Sequence, residues 1–142
     1  MKQLFSTSYS QSALHIWLLI LRIGVASLML VHGLPKISKL FSDDIQFADP
    51  LGIGMLASLA LAAFAEVVCS ILILFGAATR LATIPLIITM SVAAFIVHQH
   101  DPFSKKEVPL LYLLIFINIL ILGSGKYGID HKIQKSWKVM EK

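Results

Sequence analysis

The chain has 142 residues, of which 57% are hydrophobic and only 14% charged. A soluble domain of this size carries about 25% charged residues, so the composition excludes an ordinary soluble protein and indicates one membrane-embedded domain. The formal net charge of +4 does not indicate a nucleic-acid partner. The excess is concentrated in the tail after Gly125, where a basic flank suits a lipid bilayer surface.

The cysteine content limits which sulfur-based sites the chain can form, because Cys69 is the single cysteine. One cysteine excludes an intramolecular disulfide and a CxxC metal site, and no metal centre is predicted. The apolar run near the N-terminus is longer than a signal peptide's, contains Arg22 and lacks an Ala-x-Ala site. We therefore expect the first span to be retained.

Four apolar segments follow a polar N-terminal tail, residues 1–13. The first span, 14–34, should end where Pro35 interrupts the helix. The following loop is both charged and apolar, which predicts a short amphipathic surface helix. Span 2 is rich in small residues that allow close helix packing. The remaining predicted spans are 53–75, 81–98 and 108–122, within a transmembrane domain at 14–125, and 126–142 form a basic tail.

The predicted architecture is an all-α, membrane-embedded four-helix bundle. Four spans place both termini on the same side of the membrane. Seven lysines and arginines lie on that side and four on the other, outside the spans. The positive-inside rule then predicts a multi-pass protein of the bacterial inner membrane with cytoplasmic N- and C-termini.

Two charges, Arg22 and Glu66, lie inside the predicted spans. Helix rise places them at about 12 and 15 Å from the inner ends of adjacent antiparallel spans. Because an isolated charge in hydrocarbon is costly, the sequence predicts a buried Arg22–Glu66 pair. Two roles are open for the pair: a structural clamp, or part of a functional site.

A second polar group lies at the outer ends of the spans. His32 ends span 1, Lys36 follows it, His98 ends span 3, and Glu107 opens span 4, with Tyr112 one turn further in. These side chains could be ordinary interfacial residues, a polar mouth for a ligand, or a metal or proton site. A polar mouth above a buried charge pair suits an amphiphile with a polar head, such as a quinone.

The order of several motifs resembles the DoxX family of small four-span bacterial membrane proteins. The resemblance spans about 14–130 and rests on Leu21-Arg22, His32-Gly33-x-x-Lys36, Glu66, Thr79-Arg80, Met90, His98, Glu107, Leu110-Leu111-Tyr112 and Gly123-x-Gly125-x-x-Gly128-x-Asp130. It implies a four-helix inner-membrane protein. Some members of this family are subunits of membrane oxidoreductases, including a thiosulfate:quinone oxidoreductase, and others are linked to redox or thiol-stress partners.

Two functions therefore stay open, and the sequence does not decide whether the chain is an enzyme. The first is a subunit of a quinone-linked membrane oxidoreductase or of a redox or thiol-stress system, working with a redox partner protein. The chain has no spaced haem-ligand pair, cysteine cluster or dinucleotide-binding glycine motif, so it would need that partner. The second is a non-enzymatic assembly factor or small-molecule carrier. Homo-oligomerisation is compatible with both.

Overall fold

The computed structural model of the protein describes residues 10–140, which form helices and their connections. The helices are α1 (Gln11–Leu40), α2 (Met55–Phe75), α3 (Thr79–Val97), α4 (Phe103–Leu122) and α5 (Ile129–Met140). We call the end of the bundle with residues 41–54 the loop-1 end. The opposite end, with residues 76–78 and α5, is the terminal end.

Helices α1–α4 form the bundle, and each packs against the next along the chain. Their shared core includes Met29, Cys69, Leu86 and Phe116, whereas many large apolar side chains face outward. Such an apolar exterior suits lipid rather than water. The prediction of an all-α membrane bundle is thus confirmed.

Three of the four bundle helices meet the length and composition expected of a membrane span: α1, α2 and α3. Helix α4 has 20 residues, but Lys105, Lys106 and Glu107 lie in its first turns. Its apolar part is therefore the shorter segment 108–122 that the sequence predicts as span 4. The chain therefore has four membrane spans only if this shorter segment crosses the membrane as well.

The main difference from the prediction is the length of α1. The helix continues through Pro35 to Leu40, so the predicted stop at the proline is wrong. Residues 41–54 contain turns, bends and irregular backbone, and the predicted short surface helix is not formed there. Ile37 and Leu40 are partly buried. These first residues of the predicted amphipathic segment therefore form the last turn of α1.

Both polar tails of the prediction contribute helical structure. Ser10 caps the start of α1, with Oγ 3.5 Å from the Ala13 amide, so residues 11–13 are helical. Residues 1–9 of the predicted N-terminal tail lie outside the described part of the chain. Most of the predicted basic tail forms α5.

Helices α2 and α3 each contain a π-helical turn, Phe64–Cys69 in the middle of α2 and Ala93–Val97 at the loop-1 end of α3. A π turn accommodates one extra residue in a helix, and such turns occur frequently at functional sites. Glu66 lies inside the first of them. The buried carboxylate of Glu66 therefore lies where the backbone of α2 departs from regular α-helix.

Helices α1 and α2 approach each other closely at Gly33. A Cβ atom there would lie 2.7 Å from Val67 Cγ2 and 2.9 Å from Glu66 Cβ, which is shorter than van der Waals contact. Only glycine fits without moving one helix away from the other. This contact sets which residues of the two antiparallel helices lie side by side.

We expect Gly33→Ala to lower the free energy of unfolding by about 1–3 kcal/mol, because the added methyl overpacks the interface. Gly24→Ala is the matched control on the same helix, since no atom lies within 4 Å of its Cβ position. The control should be neutral, or stabilising by up to about 1 kcal/mol. Thermal unfolding of both variants in detergent measures this, and equal shifts would contradict the packing argument.

Candidate functional site

A cavity of about 310 Å³ lies at the loop-1 end, between α2 and α3 and under residues 47–53. We call it the loop-1 cavity. Most of its wall is apolar, and its polar side chains are Lys36, Ser58, Glu66, Thr89 and His98. Both π-helical turns contribute lining residues.

An ion pair forms the most polar part of the cavity wall. Lys36 Nζ lies 2.5 Å from Glu66 Oε2, and the side chains are 23% and 5% exposed. Lys36 also donates to the His32 carbonyl oxygen at 3.3 Å. The Gly33 contact, one turn earlier in α1, brings Lys36 onto Glu66. The pair offers a donor and an acceptor in surroundings that exclude most water.

The predicted Arg22–Glu66 pair is wrong, since Glu66 pairs with Lys36 instead. Arg22 Nη1 donates to the Ile73 carbonyl oxygen at 3.2 Å, at the other end of α2. The reason is the register of α1 and α2. With Gly33 opposite Glu66, Arg22 lies eleven residues away along α1, or about 16 Å toward the terminal end.

Of the other predicted ligand-binding residues, one lines the loop-1 cavity and three do not. His98 lines the cavity, and its Nδ1 lies 2.7 Å from Asp101 Oδ2. The hydrogen bond with His98 lowers the pKa of the Asp101 carboxyl. The paired side chains thus lie between the cavity and the loop that follows α3.

His32 and Tyr112 lie beside the cavity rather than in its lining. Their rings meet edge to face with centroids 5.9 Å apart, and Tyr112 is within electrostatic range of Glu66. Glu107 is exposed and does not line the cavity. Ligand binding by any of these residues stays a prediction.

Sequence reasoning did not single out Asp49, which holds the loop over the cavity. Its carboxylate accepts hydrogen bonds from the Ile53 amide (3.0 Å), the Gly54 amide (2.8 Å) and Ser58 Oγ (2.8 Å). These bonds, that from Ser58 above all, lower the pKa of Asp49. An acidic residue shortly before an apolar helix is the signal that could have found it.

We expect Asp49→Ala to speed hydrogen exchange at the Ile53 and Gly54 amides, because both lose their acceptor. Asp44→Ala is the control, since the recorded side-chain bonds of Asp44 join only Gln46. In the wild type, the lowered pKa means that the folded loop favours ionised Asp49. This stabilisation is present above the ordinary carboxyl pKa and is lost as pH falls through the lowered value. Unchanged exchange in Asp49→Ala would contradict this role.

A second polar cluster lies at the terminal end, formed by Arg22, residues 76–79 and Asp130. Arg22 is fully buried, and Asp130 lies within its electrostatic range. Asp130 accepts from the Ala78 amide at 2.6 Å and the Thr79 amide at 2.9 Å. Its own amide donates to the Gly76 carbonyl oxygen at 2.9 Å. The cluster therefore joins α1, the α2–α3 turn and α5.

Gly76 is required at this turn for two reasons. It ends α2 in the left-handed region with φ +69°, which favours glycine. The Arg22 guanidinium and the Gly128 backbone also occupy the space that a Cβ would need. In this structure the arginine donates to an end-of-helix carbonyl, and the aspartate accepts from the amides that begin α3. This arrangement closes the turn between α2 and α3.

We expect Asp130→Ala to lower the free energy of unfolding by about 1–2 kcal/mol, because the first amides of α3 lose their acceptor. Release of α5 should also speed tryptic cleavage after Lys132 and Lys135. Asp43→Ala, in the loop at the opposite end, is the control for losing an acidic residue. Wild-type cleavage rates in Asp130→Ala would show that α5 is held by other contacts.

Among residues 10–140, no group of three or more His, Cys, Asp or Glu side chains is placed to hold an ion. The hydrogen-bonding groups of the loop-1 cavity are instead an ammonium, a carboxylate, an imidazole and two hydroxyls. Such a set suits an organic ligand with a polar head.

Comparison with known proteins identifies a family. The DoxX family model matches residues 17–99. A Bacillus subtilis protein named "Putative oxidoreductase CatD" is 30% identical over 121 residues, covering 84% of this chain and 89% of the relative. An uncharacterized Haemophilus influenzae protein is 30% identical over 130 residues, covering 84% and 92%. No solved structure matches.

The family match covers more than half of the chain, and the two relatives extend it over most of the remainder. It agrees with a bundle whose helices are apolar on the outside and long enough to cross a bilayer. The chain belongs to the DoxX family of membrane proteins.

Proposed function

We propose that this chain is a membrane subunit that binds a quinone in the loop-1 cavity and works with a separate redox partner. The observation that carries the proposal is the ion pair Lys36–Glu66 in the wall of an otherwise mostly apolar cavity, beside His98. The relative named as an oxidoreductase supports the same reaction class.

The cavity's shape and chemistry fit the polar head of such a molecule. Its volume, about 310 Å³, is at the lower end of the range of roughly 300–1,000 Å³ for small-molecule sites. The Lys36 ammonium can donate to a carbonyl oxygen, and the Glu66 carboxylate can accept from a hydroxyl. The apolar wall from α2 and α3 suits the ring and the first part of an apolar tail.

The roles of the chain's own groups follow from their positions. Reduction of a quinone to a quinol takes two electrons and two protons, and the electrons come from the partner protein. Glu66 and His98 supply a carboxylate and an imidazole to the cavity wall, two side-chain types that act as proton donors and acceptors in catalysis. Asp101, hydrogen-bonded to His98, orients the imidazole at the loop side of the cavity.

The proposal also includes the position of the loop-1 cavity in the membrane. With the cytoplasmic termini that the positive-inside rule favours, the loop-1 cavity lies in the half of the inner membrane away from the cytoplasm. A lipid-soluble ligand would then reach it from within the bilayer, between α2 and α3.

The test is mass spectrometry of the organic extract from gently purified protein. We expect stoichiometric quinone in the wild type and in Glu107→Gln, the control at the same end but outside the cavity lining. Glu66→Gln and His98→Ala should bind less, because each removes a polar partner of the head. Ala62→Leu fills the cavity without changing a charge and should also exclude the ligand.

Circular dichroism first establishes that each variant is folded, and Ala62→Leu keeps the test valid if Glu66→Gln destabilises the bundle. An extract that contains only bulk lipid would overturn the quinone proposal. The assembly-factor or carrier function would then be preferred, and co-purifying proteins would be identified next. Equal quinone in the wild type and in folded Ala62→Leu would place the ligand elsewhere in the bundle.

A further inference from the structure

Helix α5 carries an exposed apolar stripe at the terminal end. Ile129, Ile133, Trp137 and Met140 are spaced by four, four and three residues, which places them on one face of the helix. All four are at least 41% exposed. Helices that lie at a membrane interface have one apolar face and one basic face, and the apolar face is not covered by the rest of the protein. Helix α5 has this arrangement.

The surroundings of the stripe are basic. Lys132 and Lys135 are exposed on α5. A groove of about 680 Å³ between α5 and the ends of α3 and α4 is lined by Arg80, Lys126 and Trp137, among others. The acidic side chain in its lining, Asp130, is already bonded to two backbone amides. The accessible charge of this face is therefore positive.

The hydrogen bonds between Asp130 and the α2–α3 turn fix the position of α5 along the bundle axis. The bonds of Asp130 to the α2–α3 turn hold the start of α5 beside the first residue of α3. The groove is also lined by Leu81 and Leu122, which lie at the ends of the apolar segments of α3 and α4. Basic side chains and the Trp137 ring thus lie where the apolar spans end, which is the depth of lipid headgroups.

We propose that α5 and this groove form a binding surface for anionic phospholipid headgroups. The apolar stripe enters the boundary between headgroups and acyl chains, and Arg80, Lys126, Lys132 and Lys135 contact the headgroup phosphates. Complementary charge favours an anionic lipid over a zwitterionic one. This surface is at the opposite end of the bundle from the loop-1 cavity, so the inference does not depend on quinone binding.

The test uses Trp137 as a fluorescent reporter. The protein has two tryptophans, so Trp17→Phe leaves Trp137 alone. The protein is placed in nanodiscs of fixed phosphatidylglycerol and phosphatidylcholine content, with bromine on one lipid or the other at equal mole fraction. We expect the brominated anionic lipid to quench Trp137 about two- to fivefold more strongly, and raised salt to reduce this preference.

Charge variants make the result specific to α5. Lys126→Gln with Lys132→Gln and Lys135→Gln should weaken the preference, since only Arg80 of the four proposed contacts remains, and should retain quenching. Lys105→Gln with Lys106→Gln, at the loop-1 end, should leave the preference unchanged. Equal quenching by the two lipids in the reporter protein would overturn the proposal. Absence of quenching by either lipid would also overturn it, since α5 would then lie in water or against another protein.

Discussion

The close contact of α1 and α2 at Gly33 is the constraint on which the rest of the site depends. With no room for a side chain there, the two helices approach at one height and in one register. Lys36, one turn further along α1, then meets Glu66. Because a single buried charge would be costly in a membrane, this register gives each of the two side chains a partner of opposite charge in the cavity wall.

The two ends of the bundle use their charged residues differently. At the terminal end, Arg22 and Asp130 bond to backbone groups of the α2–α3 turn, and they close the bundle. At the loop-1 end, Lys36 and Glu66 bond to each other beside an open cavity. Charges that bond to the backbone stabilise a turn, whereas a pair that faces a cavity can exchange partners with a ligand. This difference supports the proposal that a ligand binds at the loop-1 end.

Family membership and the cavity each bear on the proposed function. The DoxX match indicates a membrane protein, and one relative carries the name "Putative oxidoreductase CatD". The chain itself contributes a mostly apolar cavity whose hydrogen-bonding groups include His98 and Glu66. A subunit that binds a lipid-soluble electron carrier for a partner protein is consistent with both lines of observation.

Composition and hydropathy by themselves determined the class, the helical spans and most of the polar residues of the site, because lipid permits few charges and each must have a function or a partner. Tertiary structure decided which charges meet. The Arg22–Glu66 prediction failed because local sequence does not show that α1 continues through Pro35 to Leu40, which shifts its register against α2. The same limit applies to Asp49, whose three hydrogen bonds exist only once the loop has folded onto α2.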